Sequence, residues 1–207
     1  LKVDCIYRRL DDTLLDPKVF NKESLIGVPG LFKCWKKGNV GIINALGTGV
    51  ADDKAVYSYV NKMIVYYLGE QPKLNQVETF LCENKVHRQH VIENIAKLVV
   101  KPANASGGYG IMIGPKAPKK ERDEMVRKIK KNPRDFVAQP LEILSTIPTI
   151  CENGIEPRHL DLRPFILTGK TSYVTTGGLT RVALRKGSTI VNSSQGGGSK
   201  DTMVVDA

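Results

Sequence analysis

Residues 98–110 combine a lysine with glycines in an order that suits phosphate binding. The stretch reads Leu-Val-Val-Lys-Pro-Ala-Asn-Ala-Ser-Gly-Gly-Tyr-Gly, so an apolar strand ends at Lys101 and a glycine-rich loop follows. Gly107, Gly108 and Gly110 allow backbone N–H groups to turn toward the anion that a lysine ammonium would meet. The stretch contains neither a Gly-Lys-Ser/Thr ending nor a G-x-G-x-x-G motif. On its own it leaves two interpretations open, a nucleotide-binding hairpin and a glycine hairpin with a surface lysine.

The apolar spacing predicts the elements that would position this loop. Residues 39–44 read as a buried strand, and residues 86–96 as a helix that leads into the Lys101 strand. Ile111–Ile113 would form the return strand of a hairpin. Residues 53–68 are typical of an amphipathic helix, and we expect its apolar stripe to pack into the core. That stripe consists of Val56, Tyr59, Val60, Met63, Ile64, Tyr67 and Leu68.

The second half of the chain is predicted to contain one helix and many strands. Residues 116–131 form a highly basic segment, in which Met125 and Ile129 give a thin apolar stripe. A strand is expected at 135–140. From residue 160 onward, short apolar runs separated by turn residues predict strands at 160–167, 172–176, 179–184 and 189–192.

Composition places the chain among soluble globular proteins. It has 207 residues, of which 41% are hydrophobic and 25% charged, which allows one large domain or two small lobes. The net charge of +10 makes nucleic acid a candidate partner. We consider nucleic acid unlikely, because aromatic residues are only 6% and many of the basic residues lie in the polar segment 116–131. No apolar run approaches the roughly 20 residues of a membrane span.

The four cysteines bear on the cellular compartment. Cys5, Cys34, Cys82 and Cys151 are far apart and form no C-x-x-C pair. This spacing favours buried thiols in a reducing cytoplasm over a disulfide framework, so we expect a cytoplasmic protein. The chain begins with Leu1 rather than methionine, and we expect it to be part of a longer protein.

Three further motifs join the glycine loop in one order along the chain. They are Asp-Leu-Arg-Pro-Phe at 161–165, Gly-Gly-Leu-Thr-Arg-Val-Ala at 177–183, and Val-Asn-Ser-Ser-Gln-Gly-Gly-Gly at 191–198. Together with the strand that ends Ala-Gln-Pro, this order resembles the circularly permuted ATP-grasp proteins, relatives of glutathionylspermidine synthetase. The resemblance covers nearly the whole chain. It implies an α+β fold of the ATP-grasp type, in which two α+β lobes clamp ATP.

The permutation is visible in the segments that would bind metal. Lys-Val-Asp-Cys-Ile at 2–6 and Ile-Ile-Asn-Ala-Leu-Gly at 42–47 resemble the two metal strands, which close the ordinary fold and here come first. The resemblance implies an Mg²⁺ site at Asp4 and Asn44, which we expect to lie near each other across neighbouring strands. Ile42 stands where the family has a metal-binding glutamate. Asp12, or its neighbour Asp11, would supply the missing oxygen, although an ordinary turn there is equally compatible with the sequence.

The resemblance also divides the chain into three parts. Residues 1–50 would carry the metal strands of the large lobe, 51–139 the nucleotide lobe with its glycine-rich flap, and 140–207 the rest of the large lobe.

The resemblance implies roles for particular residues around ATP. Lys101 would contact the α- or β-phosphate, and Lys54 is a weaker candidate for a second lysine, with a helix-surface ion pair as the alternative. The strand segment Val137–Gln139 would present its backbone N–H and C=O groups to the adenine edge, with Gln139 as an ordinary strand residue as the alternative. The phosphate flap and the large-lobe ligands would be Gly107, Gly108, Tyr109 and Gly110, with Asp161, Arg163, Arg181, Asn192 and the last anion loop at 196–198.

The chemistry implied is that of an ATP-dependent carboxylate–amine ligase. A carboxylate attacks the γ-phosphate, so two anions must be brought together by cations. An amine then attacks the acyl phosphate, and Arg181, with Arg163, would stabilise the oxyanion. A carboxylate and an amine of a peptide-like kind fit the resemblance as substrates. Two alternatives within the fold stay open, a kinase-type enzyme and a non-catalytic nucleotide-binding module.

Overall fold

The structure is a computed structural model that describes residues 2–105, 108–189, 191, 196–203 and 205. These residues form a mixed α/β arrangement in which the strands belong to three separate sheets. The helices of the described chain are α1 (Leu31–Lys36), α2 (Lys54–Tyr57), α3 (Val60–Leu68), α4 (Lys85–Glu93) and α5 (Lys119–Lys131). None of the helices in these ranges has the length and apolar character needed to cross a membrane.

A parallel pair of short strands lies at the start of the chain. Strand β1 (Cys5–Tyr7) pairs with β2 (Gly41–Ile43), and Ile6 lies beside Ile42. The long connection between them is held by a buried carboxylate, because Asp16 accepts N–H hydrogen bonds from Lys18, Gly30 and Phe32.

We call one four-stranded sheet, together with helices α4 and α5, the first lobe. The second lobe is the unit built on the other four-stranded sheet. The sheet of the first lobe has the order β3 (Phe80–Leu81), β6 (Phe136–Pro140), β4 (Leu98–Pro102) and β5 (Met112–Ile113), and all neighbours are antiparallel. Strands β4 and β5 are the two arms of the predicted glycine hairpin, with Val99 opposite Ile113. The predicted strand at 135–140 is β6.

The core of this lobe lies between one face of the sheet and helices α4 and α5. Side chains alternate along β4, so Leu98 and Val100 join the core while Val99 and Lys101 face the other way. The basic segment is helical as predicted, and Met125 and Ile129 are its buried residues. The charges of this segment therefore lie mainly on its exposed side.

The second large sheet is antiparallel, with the order β10-β9-β8-β7. Its strands are β7 (Thr146–Cys151), β8 (Gly154–Thr168), β9 (Ser172–Ala183) and β10 (Gly197–Met203). The predicted turn at 169–170 is confirmed, but the strands predicted at 172–176 and 179–184 are one continuous strand. The strand predicted at 189–192 is absent from its described positions, Thr189 and Val191. Gly197 and Gly198, which the resemblance assigns to an anion loop, pair with β9.

The helix predicted at 53–68 differs from the prediction in two ways. It is interrupted at Ser58 and Tyr59, and none of the residues in α2 or α3 is buried. Tyr67 is 75% exposed and Leu68 is 65% exposed. The expectation that the apolar stripe packs into the core was therefore wrong, because the core of the described lobe is already filled by α4 and α5.

The cysteine prediction is only partly met. All four cysteines are free thiols, but Cys5 and Cys34 are exposed and only Cys82 is fully buried. Burial raises the pKa of the Cys82 thiol to about 11, and the positive charge of Arg88 offsets only part of this effect.

Candidate nucleotide-binding site

A cavity of about 640 Å³ separates the inner face of the first lobe from the second large sheet. Its volume is within the usual range for small-molecule sites. The first lobe supplies Val77, Val99, Lys101, Gly108, Ile111, Ile113 and Gln139, and the second supplies Arg163 and Arg181. The end of β6 and the connection after it close one side with Pro140, Leu141, Glu142 and Leu144, while Thr189 and Val191 complete the lining.

Strand periodicity explains why Lys101 reaches this cavity. Because Leu98 and Val100 are committed to the core, Val99 and Lys101 must point to the opposite face. Ile113 lies opposite Val99 on β5, and Gln139 lies opposite it on β6. The cavity therefore has an apolar wall with a cation at its edge, which suits a ligand with a flat apolar part and an anionic part.

Two lysines lie close enough to influence each other. Lys101 Nζ donates a hydrogen bond of 2.6 Å to Gln139 Oε1, and Lys54 Nζ donates one of 2.5 Å to the carbonyl of Ala105. Burial lowers the pKa of Lys101, and repulsion from Lys54 lowers it further. Burial also lowers the pKa of Lys54 despite the nearby carboxylates of Asp53 and Asp52. An anion that approached both ammonium groups would relieve this repulsion.

Lys54 is held in place by its backbone as well as its side chain. Its N–H donates to the carbonyl of Ala103, and Asp53 caps helix α2 by accepting the N–H of Ala55. Asp53 also accepts a hydrogen bond of 2.7 Å from Arg134. The helix-surface ion pair considered for Lys54 therefore belongs to Asp53 and Arg134, while Lys54 points toward the glycine loop.

The described part of the glycine loop has the backbone that glycine permits. Gly108 has φ 79° and Gly110 has φ 71°, both in the left-handed region that side chains disfavour. Tyr109 between them is 70% exposed. Gly107 lies outside the described residues, as does Asn192 of the second lobe.

The second large sheet presents two arginines toward the cavity, and one of them is paired with a carboxylate. Arg181 lies directly opposite Asp161, and its Nε donates to Asp161 Oδ1 at 2.8 Å. The two side chains also form an ion pair through Arg181 Nη2 and Asp161 Oδ2. Arg163 is exposed on the neighbouring position of the same face and lines the cavity. The structure thus brings Lys101, Arg163 and Arg181 to one cavity.

The three residues assigned to metal do not lie together. The register of β1 and β2 puts Asp4 beyond one end of the strand pair and Asn44 beyond the other. The separation along the strands is about four residues, or roughly 13 Å at the usual rise. The expected contact between Asp4 and Asn44 across neighbouring strands is therefore absent.

Asn44 and Asp12 instead line a second, smaller cavity of about 330 Å³. Its other lining residues are Arg8, Arg9, Leu10, Asp11, Thr48, Gly49 and Asp52. Asp12 forms an ion pair of 2.5 Å with Arg8 and accepts the N–H of Gly47 at 2.9 Å. No set of three or more Asp, Glu, His or Cys residues in the described ranges is arranged to hold a metal ion. Ile42, at the position of the family glutamate, is buried.

Several lining residues were not singled out from the sequence. Arg8 donates to the carbonyls of Leu10, Asn44 and Ala45, so it organises the segment around Asp12. Thr79 accepts a hydrogen bond of 2.8 Å from Gln139, and Glu142 lines the large cavity. Alternation from Lys101 could have identified Val99, but no local motif marks Thr79 or Glu142.

Comparisons with known proteins agree with this architecture. The family model described as "Circularly permuted ATP-grasp type 2" matches residues 1–183 of this chain. This chain belongs to the circularly permuted ATP-grasp type 2 family. The subtype resemblance to glutathionylspermidine synthetase is not established by this match.

The curated relatives are all longer than this chain. An uncharacterized protein of Synechocystis sp. is 55% identical over 205 residues, covering 99% of this chain and 43% of its own length. An uncharacterized protein of Mycobacterium tuberculosis is 51% identical over 205 residues, covering 99% of this chain and 37% of its own. A Frankia casuarinae protein named "Putative glutamate--cysteine ligase 2-2" is 45% identical over 203 residues, covering 98% and 23%. The chain thus spans less than half the length of these relatives.

Proposed function

We propose that this chain is the ATP-binding part of an ATP-dependent carboxylate–amine ligase that works through an acyl phosphate. The proposal rests on the large cavity that residues of the first lobe and of the second large sheet line together. It has apolar walls at Val99 and Ile113, Lys101 on one side and two arginines on the other. The family and the ligase name of the Frankia relative support the same class of reaction.

The cavity supplies the positive charge that the first step requires. Attack of a carboxylate on the γ-phosphate brings two anions together, and preorganised cations lower the energy of that arrangement. Lys101 and Lys54 would hold the α- and β-phosphates, and the turn at Gly108 would cover them with backbone N–H groups. The apolar residues of the cavity would enclose the adenine.

The second step requires a positive group that is fixed in space. When the amine attacks the acyl phosphate, a tetrahedral oxyanion develops on the former carboxylate carbon. Arg181 is fixed by Asp161, which leaves other guanidinium N–H groups for that oxygen. Arg163 would assist from the neighbouring position, and the amine would be a group of the kind found on amino acids or peptides.

The residues around Asp12 would hold Mg²⁺ only when a bound nucleotide supplies further ligands. Mg²⁺ commonly uses one or two protein carboxylates, with phosphate oxygens and water as the remaining ligands. Asp12 and Asn44 offer one carboxylate and one amide oxygen, and Arg8 already neutralises part of the charge of Asp12. When bound, the ion would shield the phosphate charges during transfer.

Isothermal titration calorimetry with ATP and Mg²⁺ tests nucleotide binding directly. A coupled assay that measures ADP release, with glutamate and cysteine as the trial substrates, tests ligation. Binding together with amide formation would support the full proposal. Binding with ADP release but a phosphorylated product would favour a kinase-type enzyme.

A non-catalytic nucleotide-binding module is the second candidate. It is favoured by two specific observations, the buried Ile42 at the glutamate position and the Arg8 guanidinium on Asp12. ATP binding without any turnover in a longer relative such as the Synechocystis protein would favour this candidate.

A further inference from the structure

A chain of hydrogen bonds begins at Lys101, and two of its other members, Gln139 and Val77, also line the cavity. Lys101 Nζ donates to Gln139 Oε1 at 2.6 Å, and Gln139 Nε2 donates to Thr79 Oγ1 at 2.8 Å. Thr79 Oγ1 in turn donates to the carbonyl oxygen of Val77 at 3.0 Å. The chain joins β4 and β6 to the residues that precede β3.

The chemistry of the groups allows only one direction for this chain. An ammonium group has no acceptor, so it must face the amide oxygen of Gln139. The amide nitrogen then points to Thr79, whose oxygen must accept. The remaining hydroxyl proton of Thr79 is thereby directed to the backbone of Val77. Each of these three hydrogen bonds therefore has a defined donor and a defined acceptor.

The hydrogen-bond chain is not needed to hold the strands together. Strands β3 and β6 already pair through their backbones at Phe80–Ala138 and Leu81–Val137. What the chain does hold is the end of a long, flexible side chain. Lysine loses much rotamer freedom when it is fixed, and repulsion from Lys54 favours a Lys101 ammonium that points elsewhere.

We propose that Gln139 and Thr79 are positioning residues that hold the Lys101 ammonium toward the nucleotide phosphates. Only one part of this inference, the contact between Lys101 and phosphate, rests on the proposed function. The inference gives the Gln139 side chain a role of its own, whereas the resemblance had assigned only the backbone of this strand to the adenine edge. The Gln139 amide is occupied at both ends, because its oxygen accepts from Lys101 and its nitrogen donates to Thr79.

The decisive comparison is between Thr79→Val and Thr79→Ser. Valine keeps the shape of threonine but cannot accept from Gln139, whereas serine keeps the hydroxyl. Thr149→Val is the matched control, because Thr149 Oγ1 also donates to the carbonyl two residues earlier, at Ile147, but has no glutamine partner. We expect Thr79→Val to weaken ATP binding about three- to tenfold, because the bond removed is a hydrogen bond between neutral groups. Thr79→Ser and Thr149→Val should stay close to the wild type.

A second measurement separates this inference from the proposed function because it needs no nucleotide. The titration of the Lys101 side chain can be followed by NMR of its ε-methylene group, assigned with Lys101→Ala. The amide oxygen stabilises the ammonium form, so Thr79→Val should move the titration of Lys101 to lower pH, and Thr79→Ser should restore it. Lys54, whose charge lowers the pKa of Lys101, is the same in the wild type and in both Thr79 variants. So are the other charged residues that line the cavity, which are Glu142, Arg163 and Arg181.

An unchanged Lys101 titration in folded Thr79→Val would overturn the positioning role, even if ATP binds. A shifted titration in a protein that binds no ATP would keep the positioning role and remove the proposed function. If Thr79→Val does not fold, Gln139→Met provides the same two measurements, because methionine keeps the length of glutamine without its polar atoms. An unchanged titration in that variant would also overturn the inference.

Discussion

Arg181 and Asp161 face each other directly across β8 and β9, and the guanidinium is held by the carboxylate through Nε and Nη2. The hydrogen bond from Arg181 lowers the pKa of Asp161, and the same bond raises the pKa of Arg181. The pair lies at the wall of the large cavity. A charge aimed into a site is thus fixed by a neighbour on the same sheet, which suits stabilisation of a developing anion.

Because of the Asp161–Arg181 pair, we expect the free energy of unfolding to depend on pH in the acidic range. Because the folded pKa of Asp161 is below its unfolded value of about 3.9, its contribution is present above about pH 4. That contribution is lost as the pH falls through the lowered folded pKa. Urea midpoints are measured for each protein at about pH 6 and about pH 3. We expect the fall in midpoint between the two pH values to be smaller for Asp161→Asn than for the wild type. The exposed Asp201→Asn is the control, and equal acid losses in all three proteins would contradict the prediction.

Lys101→Ala should weaken ATP binding without unfolding the protein. The loss of a charge-assisted hydrogen bond to phosphate corresponds to about 1–3 kcal/mol. The side chain faces the cavity and takes no part in the core, so the thermal midpoint should change little. Calorimetry at near-neutral pH measures the affinity, with Lys116→Ala, an exposed lysine outside the cavity, as the control. A folded Lys101→Ala variant with wild-type affinity would exclude the phosphate role.

Gly108→Val should impair phosphate binding more than folding. Gly108 has φ 79° and lines the cavity, so a β-branched side chain would both strain the turn and obstruct the approach of the backbone to an anion. Gly187→Val is the matched control, because Gly187 also has a positive φ of 71° but does not line the cavity. ATP affinity per folded molecule is measured by calorimetry. Equal affinities in the two variants would indicate that the loop at Gly108 has only a structural role.

Gly114→Ala should destabilise the first lobe strongly. A Cβ at Gly114 would stand 2.6 Å from the carbonyl oxygen of Leu98 and even closer to that of Ile95, and backbone atoms cannot move aside easily. We expect a loss of about 3 kcal/mol or more in the free energy of unfolding. Gly169→Ala, with its nearest atom at 3.9 Å, should change stability little. Urea denaturation compares the two, and similar midpoints would contradict the tight packing.

Magnesium dependence should distinguish Asp12 from Asp4. Asp12 lines the same cavity as Asn44, whereas Asp4 lies beyond the other end of the strand pair. We expect Asp12→Asn to raise the Mg²⁺ concentration needed for half-maximal ATP binding about tenfold, the order of loss for a missing charged ligand. Asp4→Asn should leave it close to that of the wild type. The opposite ranking would return the metal role to Asp4.

The elements of the first lobe were largely predictable because their signals are local. The apolar run that ends at Lys101 predicts β4, and the glycines predict the hairpin to β5. The thin stripe of Met125 and Ile129 predicts which side of α5 is buried. In each case the burial of one face follows from periodicity within a few neighbouring residues. The order of the motifs along the chain was likewise sufficient to indicate the family.

Contacts between distant segments were decided by the tertiary structure. The hydrogen bonds from Lys101 through Gln139 to Thr79 join β4 and β6 to the segment before β3, and no spacing along the chain predicts them. The register of β1 and β2 separates Asp4 from Asn44, although both follow family motifs. The apolar stripe of α3 is periodic, yet it is exposed because other helices cover the core. Periodicity predicts which side of an element is apolar, whereas the packing of the other elements determines whether that side is buried.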